Sequence, residues 1–298
     1  MNAIVNTRLI LEDGIIFNGA LTHENGRIVA LGEAKDVPIP EGCAVTDVHG
    51  LSTAPGLVDI HNHYSKTRLF AREPEECARH FLQHGETTVL PALYCNLTLE
   101  EMLAGAERIR SASQTGVGRI LKGLYMEGPY MGGFGSNQKY LLWGGEIARE
   151  EYLPLVNAVK GFARIWAIDP ARPGIEGFMH DVRITDPAAI FAMGHSHATA
   201  VDCRRVKKYG LRLQTHHGDS GKTPGRAQGT IGAGCDELTL YDPDIYAELI
   251  CDCNGVHVCP DMIKMVVRTK GVERMILITD FMPLSADSPN VPADGVAY

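Results

Sequence analysis

Hydrophobic and polar positions change their period near residue 55. Over residues 1–54 the apolar, β-branched runs Arg8 to Leu11, Gly14 to Phe17, Arg27 to Leu31 and Ala44 to Val48 are separated by Asp13-Gly14, Asn18-Gly19 and Asn25-Gly26. Such dipeptides accept the positive φ of tight turns, so this segment reads as a small hairpin-built β domain. From Gly56 onward, strand-length apolar runs alternate with stretches of helical spacing. Strands are predicted at Leu57 to Ile60, Thr87 to Leu90, Ile120 to Met126, Ala163 to Ile168, Ile190 to Met193, Leu211 to Gln214, Glu248 to Cys251 and Met275 to Ile278. Helical spacing is clearest in Leu99 to Arg110, where Met102, Leu103, Ala106 and Ile109 share one face, and in Met262 to Val267. Eight strands with intervening helices suggest an α/β chain whose residues 55–298 form a (β/α)8 barrel, close to the roughly 250 residues such a barrel occupies. After the eighth strand only the polar, proline-containing stretch Phe281 to Tyr298 follows, with no helical period to cover it. The sequence therefore reads as ending before the barrel is complete.

Composition narrows the class. With 298 residues, 45% hydrophobic and 21% charged, the chain can bury a large core. A formal charge of −8 and a pI near 5.8 argue against nucleic acid or an anionic membrane surface as partner. No run of about 18 apolar residues is present, and Met1 to Leu11 lacks the basic-then-apolar order of a secretion signal, so a soluble cytoplasmic protein is expected. Eight cysteines lie mostly in apolar runs and are expected to be reduced. Cys251, Cys253, His257 and Cys259 crowd together, but zinc sites normally use two separated ligand pairs, so buried thiols on a strand-like stretch are the expectation there.

In a barrel of this kind the reacting groups stand where strands end, and the residues found there form a set. Asp59-Ile60-His61-Asn62-His63 follows the first strand, and its two imidazoles share one side of an extended chain. Glu127 precedes Gly128-Pro129 after the third, His195 follows the fifth, His216 the sixth and Asp280 the eighth. Any one of these alone is more readily a local hydrogen-bonding or capping residue. Converging on one mouth, they would concentrate unpaired nitrogens and negative charge at a cost that a cation relieves. Histidine and carboxylate donors suit zinc, iron and similar divalent transition metals, one or two per chain.

Five segments carry a resemblance. Ala54-Pro55-Gly56-Leu57-Val58-Asp59-Ile60-His61-Asn62-His63, Met126-Glu127-Gly128-Pro129-Tyr130, Gly194-His195-Ser196-His197-Ala198, Asn254-Gly255-Val256-His257 and Ile278-Thr279-Asp280-Phe281-Met282 resemble, in order, the motifs of the N-acetylglucosamine-6-phosphate deacetylases, amidohydrolases. The resemblance implies an amidohydrolase barrel with a small β-sandwich accessory domain, to which residues 1–54 contribute, and a homodimer. It also implies roles: Glu127, His195 and His216 as ligands of the main metal, His61 and His63 as ligands of a second, Asp280 as catalytic acid/base, and His257 as a substrate contact. The implied reaction is hydrolysis of an N-acetyl amide on an amino sugar, such as N-acetylglucosamine-6-phosphate, to acetate and a free amine.

The match departs after the sixth strand. Where the family carries Leu-Phe/Tyr-Asn-Ala-Met, this chain reads His217-Gly218-Asp219-Ser220-Gly221, so another N-acyl compound is an alternative substrate. Arg226 stands where a phosphate-binding arginine is sought, and Tyr64 replaces a common glycine. His197 and His217, one residue out of step with the strand alternation or beside a ligand, are expected to face outward. Related cyclic-amide hydrolases bridge two metals with a lysine at the fourth strand, but here that strand ends Ala167-Ile168-Asp169-Pro170. A non-catalytic barrel used as a scaffold is the remaining alternative, and it would be expected to lose some of the six positions.

Overall fold

The computed structural model describes residues 1–133, 142–219, 221, 232–252 and 255–281. The chain divides into two compact units, Met1–Leu57 and the residues from Val58 onward.

The first unit is a five-stranded sheet of β1 (Asn2–Leu11), β2 (Gly14–Glu24), β3 (Arg27–Glu33), β4 (Ala44–Asp47) and β5 (Ser52–Thr53). Strand β1 lies at its centre, antiparallel to β2 and parallel to β4 and β5. Asn25 and Gly26 both take positive φ, 50° and 76°, as the tight β2–β3 turn requires. Asn18-Gly19 is not a turn: it lies inside β2, where Gly19 pairs with Thr7 between two register shifts. A Cβ at Gly19 would sit 2.7 Å from Leu9 Cγ, so glycine serves close approach at a bulge there.

The second unit is built around eight strands: β6 (Leu57–Asn62), then, past the short hairpin β7 (Tyr64–Ser65) and β8 (Arg68–Leu69), β9 (Glu86–Tyr94), β10 (Leu124–Glu127), β11 (Ala163–Ile168), β12 (Ile190–Met193), β13 (Leu211–Gln214), β14 (Tyr246–Ile250) and β15 (Met275–Ile278). They are ordered β6-β9-β10-β11-β12-β13-β14-β15, and neighbouring strands from β9 to β15 pair in parallel. Helices α1 (Pro74–Gln83), α2 (Leu99–Ala112), α3 (Arg149–Ala158), α4 (Ile175–Thr185), α5 (Ala200–Val206), α6 (Cys235–Tyr241) and α7 (Pro260–Lys270) fall between strands. Local sequence fixes their starts: Thr98 with Glu101 and Thr199 with Asp202 form reciprocal capping boxes on α2 and α5. Leu93, Met102, Ile109, Leu155, Trp166, Phe178 and Phe191 fill the layer between helices and sheet. Strand order and intervening helices are those of the expected (β/α)8-type architecture.

Four strands coincide with the periodicity residue for residue. The predicted third strand begins late, at Leu124, because Gly116–Ile120 coils into a 3-10 turn closed by Leu121 N–H donating to Gly118 O at 2.8 Å. Across the seam between first and last strands, Asp280 N–H donates to His61 O at 2.9 Å and Thr279 Oγ1 donates to Asp59 Oδ2 at 2.6 Å. Among the described residues, no helix is long and apolar enough to cross a membrane.

Candidate metal centre

Six side chains reach one mouth from five strand ends, by two local devices. His61 and His63 alternate along and just beyond β6, so both imidazoles fall on one side, with ring centroids 5.4 Å apart. Glu127 closes β10, and the chain turns away through Gly128, where a Cβ would stand 2.9 Å from Cys95 Cβ. His195, His216 and Asp280 each lie two residues past a strand end, and each has a positive φ, 44°, 30° and 45°. A non-glycine residue held there costs about 1–3 kcal/mol, a cost that recurs at functional sites.

Glu127 is the hub. Its Oε1 lies 3.1 Å from His195 Nε2 and 3.3 Å from His216 Nε2, while its Oε2 lies 3.0 Å from His63 Nε2 and 3.6 Å from His61 Nε2. Asp280 Oδ1 lies 3.2 Å from His63 Nε2 and 3.7 Å from His61 Nε2, and its Oδ2 lies 4.0 Å from His216 Nε2. Two groups of three could therefore hold a cation, His61 with His63 and Glu127, and Glu127 with His195 and His216, the candidate ligand atoms of each lying within 4.8 Å of one another. The donors fit a divalent transition metal: His61 Nε2 and Glu127 Oε2 are buried with no hydrogen-bond partner, and all five side chains are buried.

The electrostatics point the same way. Burial would depress the His61 imidazole, yet the charges of Asp280 and Glu127 outweigh it and hold it well above its usual 6.5. His63 and His216 are raised in the same manner, against burial, by hydrogen bonds and charge from Glu127 and Asp280. Burial would raise the carboxyls, but His61, His195 and His216 hold Glu127 well below 4.5, and His61, His63 and His216 hold Asp280 below 3.8.

A further residue belongs here that strand-end reading did not find. Glu248, inside β14 and fully buried, lies with Oε2 3.3 Å from His61 Nδ1 and accepts from Tyr125 Oη at 3.2 Å. The signal available was a carboxylate within the apolar run Ala247-Glu248-Leu249-Ile250, where unpartnered charge is costly. His217 also differs from expectation: it is buried, with Nδ1 2.6 Å from Gln214 Oε1, because the positive φ at His216 breaks the alternation that would have turned it outward. His197 is exposed, as expected. His257 is about half exposed, and its Nδ1 lies 2.7 Å from Asp252 Oδ2, so its bonds are not to the six-residue cluster. Cys251 and Cys259 are exposed, not buried, because β14 ends at Ile250. Arg226 and Cys253 lie outside the described residues.

A barrel with a buried histidine–carboxylate mouth is the arrangement expected above of an amidohydrolase. No family model matches the chain. The N-acetylglucosamine-6-phosphate deacetylase of Bacillus subtilis (strain 168) is 25% identical over 295 residues, 94% of this chain and 70% of that protein. The protein of the same name from Vibrio furnissii is 27% identical over 271 residues, 87% of this chain and 63% of that one. Among solved structures, the N-acetylglucosamine-6-phosphate deacetylase from Pasteurella multocida aligns with a TM-score of 0.78 at 21% identity, over 95% of this chain and 72% of that one. In sequence and in fold the chain is thus similar to N-acetylglucosamine-6-phosphate deacetylases.

Proposed function

We propose that the chain is a metal-dependent hydrolase that removes the acetyl group from an N-acetylated amino sugar, with N-acetylglucosamine-6-phosphate as the first substrate to test. The observation that carries this reading is Glu127, each of whose oxygens faces its own pair of imidazoles, with Asp280 beside both pairs. In this reading residues 1–54 are an accessory domain and residues 55–298 carry the chemistry.

Glu127, His195 and His216 would hold a first divalent ion, zinc or iron, and His61 and His63 with Glu127 a second. Such an ion supplies Lewis acidity and lowers the pKa of water toward neutrality. Asp280 performs the proton transfers. Kept ionised by the imidazoles around it, its carboxylate takes a proton from water as the water oxygen bonds to the acetamide carbon. It then delivers that proton to the sugar nitrogen as the C–N bond breaks, leaving acetate and a free amine. The proposed cytoplasmic setting suits the seven free thiols among the described residues, and the resemblance favours a homodimer.

One observation favours an unphosphorylated substrate as a second reading. Asp219, about a third exposed, puts a carboxylate 3.8 Å from His216 Nδ1, in the segment that departs from the family, where a second anion would be repelled. Amine release from N-acetylglucosamine with and without 6-phosphate, and from N-acyl amino acids, separates the readings. Metal-loaded protein is expected to release amine from one of the sugars, and Asp280→Asn to lose roughly 100- to 10,000-fold in rate while keeping metal and fold. A folded chain that takes up no metal, or an Asp280→Asn chain with unchanged turnover, would overturn the assignment.

A further inference from the structure

Glu248 is a buried carboxylate on the same imidazole, His61, that Glu127 and Asp280 already approach, where a third negative charge needs a reason. Its bonds supply one. Oε2 faces His61 Nδ1 at 3.3 Å and accepts from Tyr125 Oη at 3.2 Å and from His216 N–H at 3.4 Å, while Oε1 has no hydrogen-bond partner. Tyr125 Oη is also 2.8 Å from Thr215 Oγ1, and the Tyr125 ring lies against the His61 ring, centroids 4.1 Å apart and planes 24° from parallel. The imidazole is thus clamped on its face by an aromatic ring and on its Nδ1 edge by a carboxylate, both joined through one hydroxyl.

A carboxylate on Nδ1 holds the proton there, which leaves the Nε2 lone pair free and makes it a stronger donor. That Nε2 is the atom that faces Glu127 and Asp280, at 3.6 and 3.7 Å. The Glu248 carboxylate is not placed in this way on His216, whose Nδ1 stands 3.8 Å from Asp219 Oδ2 instead. His216 Nδ1 has no hydrogen-bond partner, and Glu248 reaches that residue only through its main-chain N–H.

We infer that Glu248 is the positioning residue for the His61–His63 side of the centre, and that it decides whether that side takes an ion. This rests on the metal-dependent reading above. The test is zinc titration of metal-free protein against a chromogenic chelator, with thermal unfolding of each variant recorded alongside. Wild type is expected to bind two equivalents, one of which is lost in His61→Ala. Glu248→Gln, which keeps volume, should weaken that same equivalent by about 10- to 100-fold, leave the other unchanged, and add nothing in the His61→Ala background. Should Glu248→Gln not fold, Glu248→Asp, which keeps the charge but withdraws it by one methylene, is expected to give the same selective loss. Equal weakening of both equivalents, no weakening, a further loss in the double variant, or a wild type whose single equivalent survives His61→Ala would overturn the inference. A wild type that binds no zinc would instead overturn the metal-centre reading itself.

Discussion

Replacing Asp59 by alanine should loosen the seam of the barrel, and the loss can be worked from its bonds. Asp59 is 3% exposed; its Oδ2 accepts from Thr279 Oγ1 at 2.6 Å, and its Oδ1 accepts from His61 N–H at 3.1 Å and Thr279 N–H at 3.4 Å. Hydrogen bonds to a charged group contribute about 1.5–3 kcal/mol each, and a stranded buried donor costs about 1–3 kcal/mol. Thr279 is exposed and can turn to water, so the stranded donor is the buried His61 N–H. Against these losses stands the relief of a carboxylate that burial pushes above its usual 3.8 despite the bonds from Thr279 and His61. The balance is a loss of about 2–4 kcal/mol for Asp59→Ala, or a midpoint shift of about 1 M for a urea slope near 3 kcal/mol per M. Asp59→Asn, which can accept from His61 N–H and donate to Thr279 Oγ1, should lose about 1 kcal/mol or less. Urea unfolding followed by the fluorescence of Trp143 and Trp166 measures both. A pH arm checks the charge argument. Because the folded pKa of Asp59 is raised, the folded state holds more protons, and stability falls as pH rises from 3.8 through the folded value. Wild type should therefore gain on Asp59→Asn as pH is lowered through that window. An Asp59→Ala midpoint equal to wild type, or a gain of the opposite sign, refutes the reasoning.

Two further outcomes follow from the shared carboxylate and its imidazoles. Glu127→Gln should lower zinc content on both sides of the centre at once, measured by elemental analysis beside His195→Ala and His61→Ala, each of which should affect chiefly its own side; a one-sided loss would show that the carboxylate is not shared. His61, His63 and His216 are raised above 6.5 in the ion-free chain, so a cation must displace protons from them. Apparent zinc affinity should accordingly rise with pH up to those raised values and fall off below them, and a chelator competition series that is flat between pH 6 and 8 would contradict it.

Legibility in the sequence followed burial. Ala163–Ile168, Ile190–Met193, Leu211–Gln214 and Met275–Ile278 were readable to the residue because strands walled by helices are short apolar runs with sharp polar ends. Asn18-Gly19 misled because glycine can mark a close approach as well as a turn, and only the partner strand tells which. Among the site residues, the six at strand ends stood out by position, and the structure brings them together. Glu248 did not stand out, since it sits within its strand, and what makes it informative is a histidine 187 positions away. His217 was misplaced because period-two alternation holds only while the backbone stays extended, and the left-handed His216 ends that. Nothing in a linear pattern announces such a residue other than glycine.

The seam bonds also set a condition on the order in which the chain can acquire its chemistry. Asp59 and Thr279, which hold it, are 220 positions apart, and they carry His61 and Asp280 on their flanks. A nascent chain exposes the first imidazoles early, yet cannot set Asp280, the proposed acid/base, beside them until nearly all of the intervening strands have been made and aligned. Premature ion capture at His61 and His63 would then be weak, with Glu127, Glu248 and Asp280 still absent. The ring of strands thus acts as its own checkpoint, since the group that would cut an amide arrives only with the strand that meets the first.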